Sequence, residues 1–258
     1  PDSEGRKRIA DGPWAVRAAV REVAKANADI VKIFLDGEEL SQHAAPGIIS
    51  YTDDEVAAAC DEAHARGLRV ACHARSAEAV KQAVRHGVDL IGHANFLDDE
   101  AVDMLAANKD RLFVGPGIAW EIQLLERGHE IGLSRSMMEA KGYQHEVDAT
   151  IDSVKRLQDV GVRVLIGGDY GLSITPHGTN AKDIEYFVDL FAMSPTQALL
   201  CATRDGGAAA DPTGMVGTLE PGKYADIVIV DGDPSTDVTV LQDPTAISAV
   251  YKGGSLVH

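Results

Sequence analysis

Four side chains stand where apolar runs stop. Lys32 lies in "DIVKIFLDG", His73 in "RVACHARS", His93 in "LIGHANFLD" and Asp169 in "VLIGGDYG". Two imidazoles and a carboxylate offer the nitrogen and oxygen donors that a divalent metal of borderline hardness takes. One histidine at a strand end is more often a hydrogen-bonded rim residue than a ligand. Two in succession, each followed by alanine, make ligation the better reading. Asp169 also suits the N-cap of a following helix. Lys32 is the odd member: an ammonium in an apolar run is costly to bury unpaired, and snorkelling to the surface is the plain alternative. His177 in "TPHGT" follows Asp169 and is a candidate substrate contact, with His43, after Lys32, a weaker one. Asn95, Tyr170 and Arg75 stand one or two residues beyond a candidate ligand and complete the candidate substrate-binding set. Cys72 precedes His73 on its strand, so it should point the other way, into the core.

These residues need a scaffold that collects strand ends. The chain reads strand, helix, strand, helix. "TDDEVAAACDEAHARG" is a helix capped by Thr52 and ended by Gly67; "SAEAVKQAVRHG" is opened by Ser76 and closed by Gly87. A long helical stretch is expected over roughly 121–160, and "SPTQALL" opens another helix at Ser194. The strands are short and continuously apolar, as in a parallel sheet covered on both faces. Five strand ends are visible, at Lys32, His73, His93, Gly115 and Asp169. Sites in such sheets are built at the C-terminal ends of the strands. From about residue 213 the grammar changes to strands joined by Pro-Gly, Asp-Gly and Gly-Gly turns, which reads as a small β annex.

Composition narrows the partners. The chain has 258 residues, 45% hydrophobic, with a formal charge of −16. Such a surface repels phosphate backbones and anionic membranes, so neither nucleic acid nor membrane is an expected partner. No apolar run is long enough to span a bilayer. Three dispersed cysteines do not read as a disulfide framework, and a reducing, cytoplasmic location is expected. There is no GxSxG elbow, P-loop or GxGxxG after a strand.

The quoted segments, together with "MVGTLEPGKYADIVIVDGDPSTD", resemble the metal-dependent amidohydrolase superfamily. Its imidazolonepropionase- and prolidase-related branch is the nearer likeness, and "GGDYG…TPHGT…DIEYFVDLFAMSPTQAL" is similar to the molinate hydrolase and phenylurea hydrolase group. The resemblance implies an α/β fold: part of a (β/α)8 TIM-like barrel, strands 4–8, over residues 1–212, and a portion of a β-sandwich annex over 213–258. It implies one or two divalent ions (Zn, Co or Mn) held by a carboxylated Lys32, His73, His93 and Asp169. Asp169 and His93 would be catalytic. The reaction would be attack of metal-bound hydroxide on an amide, urea, carbamate or thiocarbamate in a small molecule, as in xenobiotic degradation, with Asp169 taking the proton. The family's first barrel strand carries an HxH pair that does not occur in this sequence. An N-terminal segment of the same protein is therefore expected to complete the barrel, and a homo-oligomer is expected. Two other readings stay open. One is an Xaa-Pro-type dipeptidase, with Arg75 for the free carboxylate if it is not merely at the surface. The other is a catalytically silent amidohydrolase-fold binding protein. An open flavodoxin-like binder fits the rhythm but not the annex.

Overall fold

The computed structural model describes residues 8–40 and 45–258. His43 lies outside the described residues. The chain divides into two compact units, one up to Leu112 and one from Phe113 onward.

In the first unit the elements alternate as α1 (Pro13–Lys25), β1 (Ile30–Phe34), α2 (Asp53–His64), β2 (Arg69–Ser76), α3 (Ala77–His86), β3 (Leu90–Phe96) and α4 (Asp99–Ala107). The three strands pair in parallel in the order β1-β2-β3. The local signals hold. Thr52 N–H donates to Glu55 Oε2 at 2.8 Å across the first turn of α2, and Ser76 accepts from Ala79 N at 3.3 Å to start α3. Gly87 ends α3 at φ 87°, a left-handed conformation glycine adopts without cost. Val31, Val70 and Ile91 of the strands are buried, as are Val56, Ala59 and Ala63 of α2 and Val80 and Ala83 of α3. Burying this aliphatic face supplies the main driving force for the unit.

The second unit opens with β4 (Phe113–Gly115), then α5 (Ile118–Arg127), α6 (Arg135–Ala140) and α7 (Tyr143–Asp159). The single long helix expected over 121–160 is thus three. A 3-10 turn, Gly128–Ile131, follows α5, and Gly132 and Gly142 take φ 83° and 98°, which no right-handed helix accommodates. The fifth expected strand is reduced to one parallel bridge, Val114 to Val164, flanked by Val114 N–Arg163 O at 3.0 Å and Leu165 N–Val114 O at 2.8 Å. The two glycines after Ile166 leave no regular ladder beyond it. Helices α8 (Lys182–Asp189), α9 (Pro195–Leu200) and α10 (Gly206–Ala210) follow, with Ser194 capping α9 by accepting from Gln197 N at 3.3 Å. The strand-rich C-terminus forms an antiparallel sheet of β5 (Ile227–Val230), β6 (Ile247–Lys252) and β7 (Ser255–Leu256). Among the described residues no helix is long and apolar enough to cross a membrane.

Candidate active site

In the first unit three candidates come from adjacent strands. Parallel pairing sets Lys32 beside Ala71 and Phe34 beside His73. Lys32 Nζ lies 5.6 Å from the Phe34 ring centroid, and that ring stacks on His73 at 5.2 Å. The His73 and His93 rings meet edge to face, 4.4 Å between centroids. Strand alternation alone would not bring them together, because His73 is in register with Gly92 and His93 with Ala74. β3 carries an extra residue before the next pair, Ser76 with Phe96, and His93 and Ala94 take φ 77° and 54°. This is a β-bulge that re-aims a side chain, at a conformational cost of about 1–3 kcal/mol for each such residue. Gly92 makes room for it: a Cβ there would stand 2.8 Å from the Cys72 carbonyl oxygen.

Both imidazoles are buried and held neutral. Burial, then the Arg75 guanidinium, lowers the pKa of His73. His93 is driven well below its ordinary value by burial, with Arg75, His73 and Lys32 adding to the effect. Neutral imidazole is the form that binds metal. His73 Nε2 lies 3.2 Å from the Gly37 carbonyl, so in the tautomer protonated at Nε2 it donates there and Nδ1 is left as the donor to a metal. His93 Nδ1 is buried with no hydrogen-bond partner among the described residues. An orphaned imidazole nitrogen beside a second neutral imidazole fits a divalent cation. Among the described residues no three His, Cys, Asp or Glu side chains cluster as a metal site, and the His73–His93 pair by itself does not complete one.

Two readings that the sequence leaves open are decided. Lys32 is exposed, the snorkelling alternative: it shares a sheet face with Ile30 and Phe34, 37% and 54% exposed, while Val31 and Leu35 take the buried face. Its charge therefore carries no burial penalty, and burial gives no argument for carboxylation. Arg75, by contrast, is only 1% exposed, not a surface residue. Asn95 is fully buried and Cys72 is core, its thiol pKa raised by burial. All three cysteines are free and buried.

Asp36 escaped the sequence reading. Its carboxylate is buried and accepts Arg75 N at 2.9 Å, Ser76 N at 2.8 Å and Gly47 N at 3.3 Å. It ties the end of β1 to the end of β2, 3.9 Å from His73 Nε2. The signal was present: an acid directly after an apolar run, as at Asp169.

The second unit holds Asp169, Tyr170 and His177. Asp169 is exposed and left-handed, φ 58°, rather than a helix cap. Gly168 is buried so tightly that a Cβ would stand 2.6 Å from Ala119 Cβ and from both Asp183 carboxylate oxygens. The His177 ring lies against Gly171, where an added Cβ would meet Nε2 at 2.9 Å. Tyr170, its phenol pKa raised by burial, lines a cavity of about 230 Å³ with Ala119, Gln123, Arg127 and Thr175.

Asp183, also unforeseen, is fully buried in the first turn of α8. Burial raises its pKa to about 7, although the Gly167 amide and the Tyr170 hydroxyl pull the other way without hydrogen bonds of regular geometry. The folded state thus holds a proton that the unfolded chain, at 3.8, releases. Its contribution is fully favourable below pH 4 and is lost as pH rises through 7. Asp183→Asn should therefore raise the thermal midpoint at pH 8, by up to about 4 kcal/mol of stability, and leave it unchanged near pH 4. Melting curves at both pH values check this.

Parallel βα units define an α/β architecture. More narrowly, the chain belongs to the amidohydrolase family, whose model matches residues 5–257. It is similar to ochratoxinase of Aspergillus niger, 27% identical over 249 residues, covering 96% of this chain and 50% of that protein. The structure of an Xaa-Pro dipeptidase with bound methionine superimposes with TM-score 0.84 at 31% identity, covering 97% of this chain and 59% of that one. Molinate hydrolase shares the fold, TM-score 0.71 at 21% identity, over 96% of this chain and 55% of its own. Imidazolonepropionases and a phenylurea hydrolase match as well, as the quoted motifs implied. Ochratoxinase and imidazolonepropionase are hydrolytic enzymes. The chain spans about half the length of the curated relative just described.

Proposed function

We propose that this chain carries the metal-binding and catalytic residues of a hydrolase cleaving amide-like C–N or C–S bonds in small molecules: amides, ureas, carbamates or thiocarbamates. The observation that carries this reading is the buried, neutral His73–His93 pair with its orphaned nitrogen. In this reading residues 1–212 supply five βα units of a (β/α)8 barrel, and 213–258 part of a β annex. His73, His93, Lys32 as a carbamate, and Asp169 would hold one or two ions of zinc, cobalt or manganese. Such an ion supplies Lewis acidity, lowering the pKa of water and polarising a carbonyl. The Asp169 carboxylate accepts the proton of the attacking water and returns it to the leaving nitrogen or sulfur. Arg75, Asn95, Tyr170 and His177 bind and orient the substrate. Burial of the imidazoles keeps them unprotonated at neutral pH, so protons do not compete for the ligand nitrogens.

An Xaa-Pro dipeptidase is the second reading. The dipeptidase superposition favours it, as does the buried Arg75 guanidinium, which suits a substrate α-carboxylate.

The test is metal analysis of the full-length protein with a substrate panel: an N-acyl amino acid, a phenylurea, a thiocarbamate and methionyl-proline, each with added Zn, Co or Mn. We expect one or two bound ions and turnover of at least one substrate. His93→Ala should lower metal content and reduce turnover by more than about 100-fold. Methionyl-proline as sole substrate would select the second reading. A folded protein with neither metal nor turnover would leave only the silent binding protein.

A further inference from the structure

Asp169 stands in a left-handed backbone conformation that few residues other than glycine adopt. Its φ is 58°, and the next glycine, Gly171, is at 110°. Left-handed geometry at a non-glycine residue persists where neighbouring groups over-determine it. Three of the neighbouring contacts converge on one residue. Thr175 is 1% exposed. Its Oγ1 donates to the Asp169 carbonyl at 3.2 Å, its own carbonyl accepts Gly171 N at 2.8 Å, and its N–H donates to Leu172 O at 3.1 Å. The segment from Asp169 to Thr175 is thus a closed loop laced through Thr175, with Leu172 and Thr175 forming an antiparallel bridge.

We propose that Thr175 is a positioning residue for Asp169: its hydroxyl fixes the Asp169 peptide and thereby the direction in which the carboxylate points. The inference rests on the reading of Asp169 as ligand and proton carrier. The two backbone bonds do not involve the Thr175 side chain, so they set the loop closure. The hydroxyl bond alone depends on the side chain. Without it the Asp169 peptide is free to rotate, and the carboxylate samples directions useless to a metal or a water. Catalytic geometry is sensitive to displacements of about 1 Å.

The hydroxyl can be removed with little change of shape. In the full-length protein, Thr175→Val and Thr175→Ala delete it and Thr175→Ser keeps it. The first readout is Co2+ titration of metal-stripped protein, followed by visible absorption. We expect both hydroxyl-free variants to bind Co2+ about tenfold more weakly, equivalent to about 1.4 kcal/mol, with Thr175→Ser near the parent. The second readout is kcat and KM on the panel substrate turned over fastest. Here kcat should fall about tenfold in Thr175→Val and Thr175→Ala and stay near the parent in Thr175→Ser. Rescue by serine is the signature that a packing role would not give. Asp169→Asn is the control for the underlying reading. If it leaves Co2+ affinity and kcat at parental values, that reading fails. If Asp169→Asn loses both while the hydroxyl-free variants keep both, Thr175 alone is acquitted of the role. A loss in Thr175→Ser equal to that in Thr175→Val also overturns the proposal.

Discussion

Asp36→Ala should lower the thermal midpoint by roughly 10 °C and reduce the metal bound per chain. The carboxylate is buried and its oxygens are engaged by backbone: Arg75 N, Ser76 N and Gly47 N converge on it. Truncation leaves amides at the ends of two strands without acceptors in a place that water reaches poorly. Each orphaned buried amide costs about 1–3 kcal/mol, so the expected total is roughly 3–5 kcal/mol, a large share of a typical stability of about 5–15 kcal/mol. With a midpoint shift of about 2–4 °C per kcal/mol for a chain of this size class, the loss is readily seen by circular dichroism. Asp36→Asn separates the contributions. It keeps one carbonyl oxygen but turns an NH2 towards an amide that also donates, so it should fall between parent and alanine. Arg75 N and Ser76 N flank the strand end that carries His73, so the same variants should loosen that imidazole and lower zinc content. A midpoint within 2 °C of the parent would show that water replaces the carboxylate at little cost, and the clamp would then be incidental.

Much of the scaffold was legible because its signals are local. Thr52, Ser76 and Ser194 cap helices through bonds to residues three positions on, and Gly87 ends one by a conformation written in its own lack of a side chain. Likewise, the apolar runs ending at Lys32, His73 and His93 become the parallel strands of the first unit. What stayed hidden depends on partners far along the chain. The meeting of His73 and His93 needs a bulge in β3, and nothing in "LIGHANF" announces the extra residue. The apolar neighbours of Lys32 leave open whether it is buried or snorkels to the surface. Yet a strand five residues long has two faces, and only the one with Val31 is buried. The helix expected over 121–160 failed at glycines that were in plain view. Helical periodicity on either side outweighed them, and their positive φ values break it in the folded chain. Asp36, Thr175 and Asp183 are polar residues whose significance lies in what they touch, 39, 6 and 15 residues away in sequence for Arg75, Asp169 and Gly168.

Asp169→Asn should reduce kcat by about 10³-fold while leaving the fold intact. General acid–base catalysis by one side chain contributes typically about 10²–10⁴-fold, and this carboxylate is assigned both a metal bond and the proton. The choice of asparagine matters. Asp169 sits at φ 58°, a region where asparagine and aspartate are the tolerated non-glycine residues, whereas alanine meets the full steric cost of its Cβ. Asparagine keeps the backbone, the volume and a carbonyl oxygen, and removes only the charge and the capacity to take a proton. The side chain is exposed, so no buried interaction is lost, and the thermal midpoint should move by less than about 2 °C. Stability and activity are thereby separated at one position, which the buried histidines do not permit. Alanine at 169 should lose as much activity and additionally destabilise the loop laced through Thr175, since Cβ strain is then uncompensated. The measurement is kcat on the best panel substrate beside the melting curve of each variant. An asparagine variant retaining more than a tenth of parental kcat would mean that another group carries the proton. In that event the side chain at the end of "VLIGGD" serves the fold of its loop rather than the reaction.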